Sequence, residues 1–416
     1  MLLQLLSLLK NNKDFSIISL ATLFSGIGTA LTVIAVYGEL SNARAQPFFY
    51  SVAFILSLFP GLFSSALAAK LSAKIKISTA LILAECCGAI FLVMPMIGVA
   101  TKVVWFLLVA LFMTSAVSGF QSPIYQTFIR RKFKDEELKL VSICSVYIFS
   151  ANFIFGEALG TVLYPLVGTK IYLFIDLFSY LLAAVLIFLA YKKNKDVFNP
   201  VQTNPEKRAV FLWKSLNVFQ KRAFLLTPFL ALCCAPAMSL LPAIGAEHGK
   251  EIVAGSFIIA PALVFLLFKT LGQIIGPFVA NRYNFDRLFA SNGIITALLM
   301  LYLGLYYVIY TAKNLTIACL SIVLAHIASN IVYILASYSF TKHFDESVIA
   351  VVSARHYQVC LIAMCLSGLW AGIVAEKFNT VTVIYVSMFF IALTFLNLIK
   401  QSHKKKDSAL CESPII

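Results

Sequence analysis

A few ionisable side chains lie within long apolar stretches of this sequence. We single out Glu85, Glu157, Asp176, Lys269, His326 and Arg355. At the depth of a lipid bilayer such a group costs about 3 to more than 10 kcal/mol, so it normally faces a cavity or a partner. A carboxyl group there favours its neutral form and can load and release a proton, whereas an ammonium group can bind an anion. These positions are therefore candidates for proton or ion chemistry.

The three acidic residues are the candidates for proton coupling, and Glu157 is our first choice. It lies between Gly156 and Gly160, well inside an apolar stretch. A carboxyl in such a place could exchange a proton with either side of a membrane. The alternative is a neutral, hydrogen-bonded carboxyl that only packs two helices together. Asp176 and Glu85 complete the set of candidates.

The basic residues suggest different chemistry. Lys269 lies too deep in its apolar stretch to reach the membrane surface easily. It therefore either neutralises a carboxylate of the protein or binds an anionic substrate. His326 could titrate near neutral pH, or it could be a hydrogen-bonded core residue. Arg355 lies nearer one end of its stretch, so we expect it to pair with a loop at a gate.

The elements that must position these side chains are membrane-spanning helices. The sequence is 61% hydrophobic and 12% charged, whereas soluble domains carry about 25% charged residues. Apolar runs of about 20 residues match the thickness of a bilayer, and their continuity favours helices over the short alternating segments of a barrel. The twelve predicted spans are 15–37, 48–69, 77–99, 103–128, 139–165, 168–191, 223–246, 252–280, 288–310, 315–341, 348–375 and 378–400.

The basic residues that give the chain its net charge of +15 are distributed unevenly between the predicted loops. Basic residues concentrate in alternate loops, including eight of them between Lys192 and Arg222, and only six lie in the loops of the opposite side. This asymmetry is the positive-inside rule, which predicts that both termini lie in the cytoplasm. It also argues against a nucleic-acid partner, and contact with anionic lipid is a secondary role for these charges.

The polar stretch 192–222 predicts a cytoplasmic linker between two six-helix halves, 1–191 and 223–400, followed by a cytoplasmic tail, 401–416. Local motifs recur at a nearly constant interval between the halves. Gly368 follows Gly156 by 212 residues, and Phe344 follows Phe133 by 211. Internal duplication of this kind is typical of secondary transporters.

Four motifs carry a resemblance to a known family: Asn12–Phe15, Gly119–Pro123, Phe133–Leu138 and Ile175–Tyr180. The chain resembles the major facilitator superfamily over nearly its full length, most of all the branch of bacterial macrolide-efflux and enterobactin-exporter proteins. The resemblance implies an all-α fold of twelve transmembrane helices in two pseudo-symmetric six-helix bundles. It also implies a multi-pass protein of the bacterial inner membrane. Asp176 occupies a family-typical position, which favours a structural role, and Glu85 falls in a peripheral span.

The family's gate loop follows the second span, and its carboxylate is replaced here by Ala69. Lys70 and Lys74 remain to meet lipid phosphate or nearby acids, or simply to anchor the loop. The second-half copy keeps Asn281 and Arg282.

In the fifth span the chain resembles an exporter motif, with Glu157 at its proline position. Gly156 and Gly160 are expected at the interface between the halves, because small residues four apart let helices approach closely. Gly368 and Gly372 are their counterparts in the eleventh span.

Family position also places Gln121, Tyr125 and Tyr147 in a substrate cavity, with Lys269 and His326 as further candidates. The resemblance implies a proton-driven exporter of an amphipathic small molecule, such as a drug or siderophore. The alternative is uptake or exchange of an anionic metabolite or lysophospholipid. A membrane enzyme or receptor is disfavoured, since the sequence has no HExxH, Walker or Ser/His/Asp pattern. We expect a monomer without cofactor or metal, and nine free cysteines.

Overall fold

The computed structural model describes residues 2–42, 53, 56–72, 74–199, 213–241, 244, 252–254, 257–259 and 261–394. Contacts divide the chain into two units. Unit 1 comprises Met1–Pro228 and Ala336–Cys365, and unit 2 comprises Phe229–Leu335 and Leu366–Ile416. Most of the predicted linker and the whole predicted tail lie outside the described residues, so the bounds of the two halves stay predictions.

Helices make up nearly all of the described chain. The elements up to residue 193 are α1 (Leu2–Asn11), α2 (Lys13–Asn42), α3 (Phe59–Leu71), α4 (Ile77–Phe91), α5 (Val93–Thr101), α6 (Val104–Lys132), α7 (Asp135–Ala151), a π-helix (Asn152–Ala158), α8 (Leu159–Val167) and α9 (Thr169–Lys193). The elements from residue 218 onward are α10 (Val218–Ser239), β1 (Ile252–Ala254), β2 (Phe257–Ile259), α11 (Pro261–Ala280), α12 (Phe285–Ala290), α13 (Asn292–Thr311), α14 (Leu315–His343), α15 (Glu346–Lys377) and α16 (Thr380–Thr394).

Nine helices of the described part are long and apolar enough to cross a membrane. Two shorter apolar helices, Leu267–Ala280 and Thr380–Thr394, fall within two further predicted spans. The predicted span 48–69 is described mainly through α3. The helices therefore agree with a multi-pass membrane protein.

The predicted start of the eighth span is wrong. Residues 252–280 were expected to form one helix, but β1 and β2 pair as antiparallel strands, with Ile252 opposite Ile259. Two triplets rich in β-branched and aromatic residues, separated by Gly255 and Ser256, suit a hairpin better than a helix. Helix α11 begins only at Pro261, a residue whose fixed φ favours the first helical turn.

The start of α2 is held by a buried ion pair. Lys132 Nζ at the end of α6 lies 2.9 Å from Asp14 Oδ2, and Asn194 Nδ2 donates to the same oxygen over 3.2 Å. Beside this pair, the Phe15 and Phe133 rings meet edge to face, 4.9 Å apart. These contacts explain why a polar motif leads directly into the first predicted span.

Helix α2 packs tightly on α9 and on the π-helix. A Cβ atom at Gly28 would lie 2.1 Å from Ser179 Oγ and 2.6 Å from Asp176 Oδ1. A Cβ at Gly26 would lie 2.1 Å from Asn152 Nδ2. Neither space could hold a methyl group, so glycine permits the close approach. Helix α2 is thereby the element on which polar residues of unit 1 converge.

Candidate functional site

Two acidic side chains are almost completely enclosed in unit 1. Glu85 on α4 is 2% exposed and Asp176 on α9 is 0% exposed. Both were predicted as proton-coupling candidates. A buried carboxyl needs hydrogen-bond partners or a counter-charge, so their surroundings decide what they can do.

Glu85 is held by neutral hydrogen-bond donors from two helices. Ser25 on α2 donates from Oγ to Glu85 Oε2 over 2.9 Å. Gln121 on α6 donates from Nε2 to Oε1 over 2.8 Å. The structure thus gives Gln121 a defined partner, and its predicted placement in a substrate cavity stays a prediction.

Asp176 is held by hydroxyl groups. Thr32 on α2 donates from Oγ1 to Asp176 Oδ2 over 2.6 Å. The hydroxyl of Ser179, one turn further along α9, lies 3.2 Å from Oδ1. In the described part of the chain no ion pair joins Glu85 or Asp176 to a basic side chain.

Tyr180 on α9 contacts both α2 and α4. Its hydroxyl lies 3.1 Å from Thr29 Oγ1 on α2, and its ring fills the space where a Cβ at Gly88 would stand, 2.7 Å away. Residues three or four apart share one face of a helix. The hydroxyl partners on α2 therefore form one face, which consists of Ser25, Thr29 and Thr32.

Glu157, our first choice from sequence, lies in the π-helix. Its side chain is outside the part of the structure that is described, so its proton-coupling role stays a prediction. π-helical turns are frequent at functional sites. Tyr147 is half-buried on α7, and Tyr125 on α6 packs its ring 6.4 Å from that of Phe128. Their placement in a cavity also stays a prediction.

Unit 2 contains a buried basic cluster. Lys269 on α11 is 6% exposed and His326 on α14 is 2% exposed. The two helices pack closely here, because a Cβ at Gly272 on α11 would lie 2.8 Å from His326 Cβ. Tyr306 on α13 has its hydroxyl 2.9 Å from His326 Nε2. The Tyr302 and Tyr306 rings lie 4.7 Å apart. The two basic residues predicted to meet substrate thus come together in one place.

Sequence reasoning missed a second polar layer one turn away from that cluster. Asn330 Nδ2 donates to the backbone oxygen of Gln273 over 2.9 Å, and the buried side-chain oxygen of Gln273 has no hydrogen-bond partner among the described residues. The signal was the four-residue spacing: Gln273 follows Lys269 on α11 and Asn330 follows His326 on α14.

A set of ion pairs joins helix ends within unit 1. Arg130 Nη1 at the end of α6 lies 2.6 Å from Asp135 Oδ1 and Arg130 Nη2 lies 3.9 Å from Asp345 Oδ1. Arg131 Nε lies 3.1 Å from Glu346 Oε1 at the start of α15. We call Arg130, Arg131, Asp135, Asp345 and Glu346 the latch. Sequence reasoning missed it, although the internal repeat pointed to this region.

The gate residues predicted from the family loop are placed differently. Lys70 and Lys74 are exposed, and no ion pair among the described residues includes either. The expected contact with the acids after α6 is therefore not seen, because Asp135 binds Arg130 instead. Arg282, in the turn between α11 and α12, is exposed.

Two further predicted gate residues have neighbours of their own. Asn281 is half-buried at the start of the turn before α12. Arg355 Nη1 donates to Gln358 Oε1 over 3.0 Å, and Gln358 in turn donates to the backbone oxygen of Leu62 over 2.6 Å. Arg355 therefore positions a side chain that bonds to α3.

The glycines of the fifth predicted span lie against α2. A Cβ at Gly156 would lie 2.3 Å from Ala30 Cβ, and one at Gly160 would lie 2.8 Å from a Leu31 methyl group. Both glycines thus pack against α2 of the same unit, and their placement at an interface between the halves stays a prediction. Gly372 is exposed with open space around it, and Gly368 is half-buried. The GxxxG spacing recurs in both halves, but tight packing occurs where α2 crosses the first copy.

Comparison with known proteins adds the family. The sequence model described as Major Facilitator Superfamily matches residues 15–357. A search of curated protein sequences gave no match.

Solved structures resemble the chain over nearly its full length. The transporter FucP in its outward conformation is 13% identical, with 92% of this chain and 97% of that chain covered and a TM-score of 0.65. The human organic anion transporter MFSD10 is 12% identical, with 92% and 98% covered and a TM-score of 0.69. A bacterial homologue of the iron transporter ferroportin is 12% identical, with 94% and 99% covered and a TM-score of 0.66. At these identities the likeness shows the fold, which is the predicted all-α major facilitator fold.

Proposed function

The chain belongs to the major facilitator superfamily, and we propose on this premise that it is a proton-coupled exporter of an amphipathic small molecule, such as a drug or a siderophore. It works by alternating access in a bacterial inner membrane, as a monomer with both termini in the cytoplasm. Two related six-helix halves, 1–191 and 223–400, rock about a central site.

The main support for alternating access is the latch. Asp135 and Glu346 stand 211 residues apart, the interval of the internal repeat, and they bind the adjacent residues Arg130 and Arg131. Equivalent positions of the repeat are thus joined at one end of the helices. Ion pairs at exposed helix ends contribute about 1 kcal/mol or less each. Such a connection can therefore open and close during a transport cycle, which supports a protein with two states.

Buried acidic residues support the coupling to protons. Glu85 and Asp176 are enclosed and bound by neutral groups. A carboxylate loses its charge when it takes up a proton, and no basic side chain in the described structure is paired with either group. Protonation can therefore bias one state of the protein against another. Glu157 remains a third coupling candidate.

The basic cluster of unit 2 favours one alternative substrate class. The Lys269–His326 pair, with Tyr306 bonded to the imidazole, could receive an anionic group. On this alternative, the protein takes up or exchanges an anionic metabolite or a lysophospholipid with the same fold. Transport of an anionic substrate should require Lys269, whereas export of an amphipathic molecule should not, so a Lys269 variant distinguishes the two functions.

Transport by the purified protein in liposomes tests the function. The probes are a macrolide, a siderophore, a small dicarboxylate and a lysophospholipid, each followed while a pH gradient is imposed and then collapsed with an ionophore. We expect the macrolide or the siderophore to move against its gradient only while the pH gradient lasts. Movement of the anionic probes alone, lost in Lys269→Gln, would establish the alternative. If no probe responded to the pH gradient, the proposal of proton-coupled transport would be wrong.

A further inference from the structure

Unit 1 contains two buried carboxyl groups that share one helix as their hydrogen-bond partner. Two carboxyl groups on different helices are tied to the same face of a third. Ser25 on α2 binds Glu85 and Thr32 on α2 binds Asp176, while Thr29 between them binds Tyr180. At about 1.5 Å of rise per residue, the two attachment points lie about 10 Å apart along α2.

We propose that Glu85 and Asp176 form a two-carboxyl proton-binding site built on the hydroxyl face of α2. This inference rests on the proposed proton-coupled transport and names the residues that hold the proton. It moves the coupling site away from Glu157, the first choice from sequence, to the contact of α2 with α4 and α9. The ligand is a proton, taken up from hydronium with release of water.

The partners of both carboxyl groups can serve either protonation state. A hydroxyl group donates one hydrogen bond and also accepts, and its hydrogen rotates to suit. When Glu85 is ionised, Ser25 donates to Oε2, as in the structure. When a proton adds to Oε2, the new O–H donates to Ser25. The Ser25 hydrogen can then turn to the backbone carbonyl of Ala21, the acceptor four residues earlier in the helix.

Asp176 follows the same logic, but hydroxyl groups bind both of its oxygens. These are the hydroxyl groups of Thr32 and Ser179, so a proton can add at either oxygen. Glu85 instead has one permanent donor, because the Gln121 amide nitrogen can only donate. A proton on Glu85 is therefore confined to Oε2. The two carboxyl groups are thus distinguishable in an experiment.

The charges around the site are few. The hydrogen-bond partners described for Glu85 and Asp176 lie on α2, α6 and α9, all in unit 1. Helix α4 carries no charge besides Glu85, and α5 carries no titratable side chain. The basic residues of α2, α6 and α9 all stand in the first or last turn of their helix. Among the described residues, the phenol of Tyr180 interacts with both carboxyl groups, and the two carboxyl groups interact with each other.

Infrared difference spectroscopy tests the site without any substrate. The purified protein in liposomes is titrated with acid and base while the carbonyl-stretch band of protonated carboxyl groups is followed, in H₂O and in D₂O. We expect a band that titrates, and we expect Glu85→Gln and Asp176→Asn each to remove part of it. Ser25→Ala should shift the Glu85 component, and Thr32→Val the Asp176 component, because the frequency depends on the hydrogen bond.

Asp14→Asn is the matched control. Asp14 is also buried, at 4% exposure, but it forms an ion pair with Lys132 and is not part of the proposed site, so this variant should leave the band unchanged. A band that is intact in both Glu85→Gln and Asp176→Asn overturns the inference, even if transport proves to be proton-coupled. A band that behaves as expected in a protein that moves no probe supports the site and contradicts the proposed transport. The two failures are therefore distinguishable.

Discussion

Thr32 donates a hydrogen bond to Asp176 over 2.6 Å, although 144 residues separate them. The bond joins α2 to α9 in the most enclosed part of unit 1, where both side chains are 0% exposed. A hydrogen bond to an ionised group contributes about 1.5–3 kcal/mol. This contact therefore both fixes the packing of two helices and responds to the charge of the carboxyl group.

Replacing Thr32 should make stability depend on pH. Thr32→Val keeps the shape but removes the donor to Asp176. The ionised carboxylate loses more than the neutral carboxyl does, so the destabilisation should be larger at about pH 8 than at about pH 5, by about 1 kcal/mol. Thermal unfolding in detergent at the two pH values measures it.

The control for this prediction is another buried threonine. Thr114 donates to the backbone oxygen of Leu111 and touches no carboxyl group in the described structure. Thr114→Val should cost the same at both pH values. An equal loss at both pH values for Thr32→Val would mean that Asp176 does not change its charge in this range.

The close approach of α2 to α9 gives a second prediction. Gly28→Ala would place a methyl carbon 2.1 Å from Ser179 Oγ, so the helices must separate at a cost of about 1–3 kcal/mol. The infrared band of the carboxyl site should shift as well. Gly293→Ala is the control, because nothing lies within 4 Å of a Cβ there. Equal melting temperatures for the two variants would contradict the packing described for α2.

The latch gives a third prediction. Glu346→Arg reverses the charge opposite Arg131 and should lower the population of the state with the latch closed about two- to five-fold, as expected for one exposed ion pair. The double variant Arg131→Glu with Glu346→Arg should restore it. Distance measurements between spin labels at Lys134 and Ser347 report the populations. Lys70→Gln, at an exposed lysine, should have no effect, and failure of the double variant to recover would refute the pairing.

The ion pair at the start of α2 gives a fourth prediction. Asp14→Asn leaves Lys132 without its counter-charge at a site where the two side chains are 5% and 17% exposed, so it should cost about 3 kcal/mol. Replacing both, with Asp14→Asn and Lys132→Met, should recover much of the loss. Asp135→Asn, at a side chain that is 53% exposed, should cost no more than about 1 kcal/mol. Similar losses for Asp14→Asn and Asp135→Asn would contradict this ranking.

Four of the residues singled out from sequence are buried in the structure, and they share a physical property. Glu85, Asp176, Lys269 and His326 stand out because charge within an apolar helix is costly and therefore rare. The helices themselves follow from the length and continuity of the apolar runs. Such signals are local, so one sequence is enough to read them.

The hydrogen-bond partners of those residues could not be predicted from the sequence. Ser25 and Thr32 are ordinary hydroxyl residues in an apolar helix, and nothing local distinguishes them from Ser19 or Thr22. Their role depends on the register between helices far apart in sequence. Gln121 was assigned to a cavity by family position, whereas its amide binds Glu85. Predicting the latch also requires the register between distant helices, since Arg131 and Glu346 belong to different halves of the repeat.

Net transport and exchange, measured side by side, test the central claim that proton binding at Glu85 and Asp176 drives transport. Liposomes containing the protein are loaded with a transported probe. Exchange with external probe is followed at equal pH, and net movement is followed under a pH gradient. The account predicts that Glu85→Gln and Asp176→Asn keep exchange but lose movement driven by the pH gradient. Gradient-driven movement at the wild-type rate in both variants would contradict it.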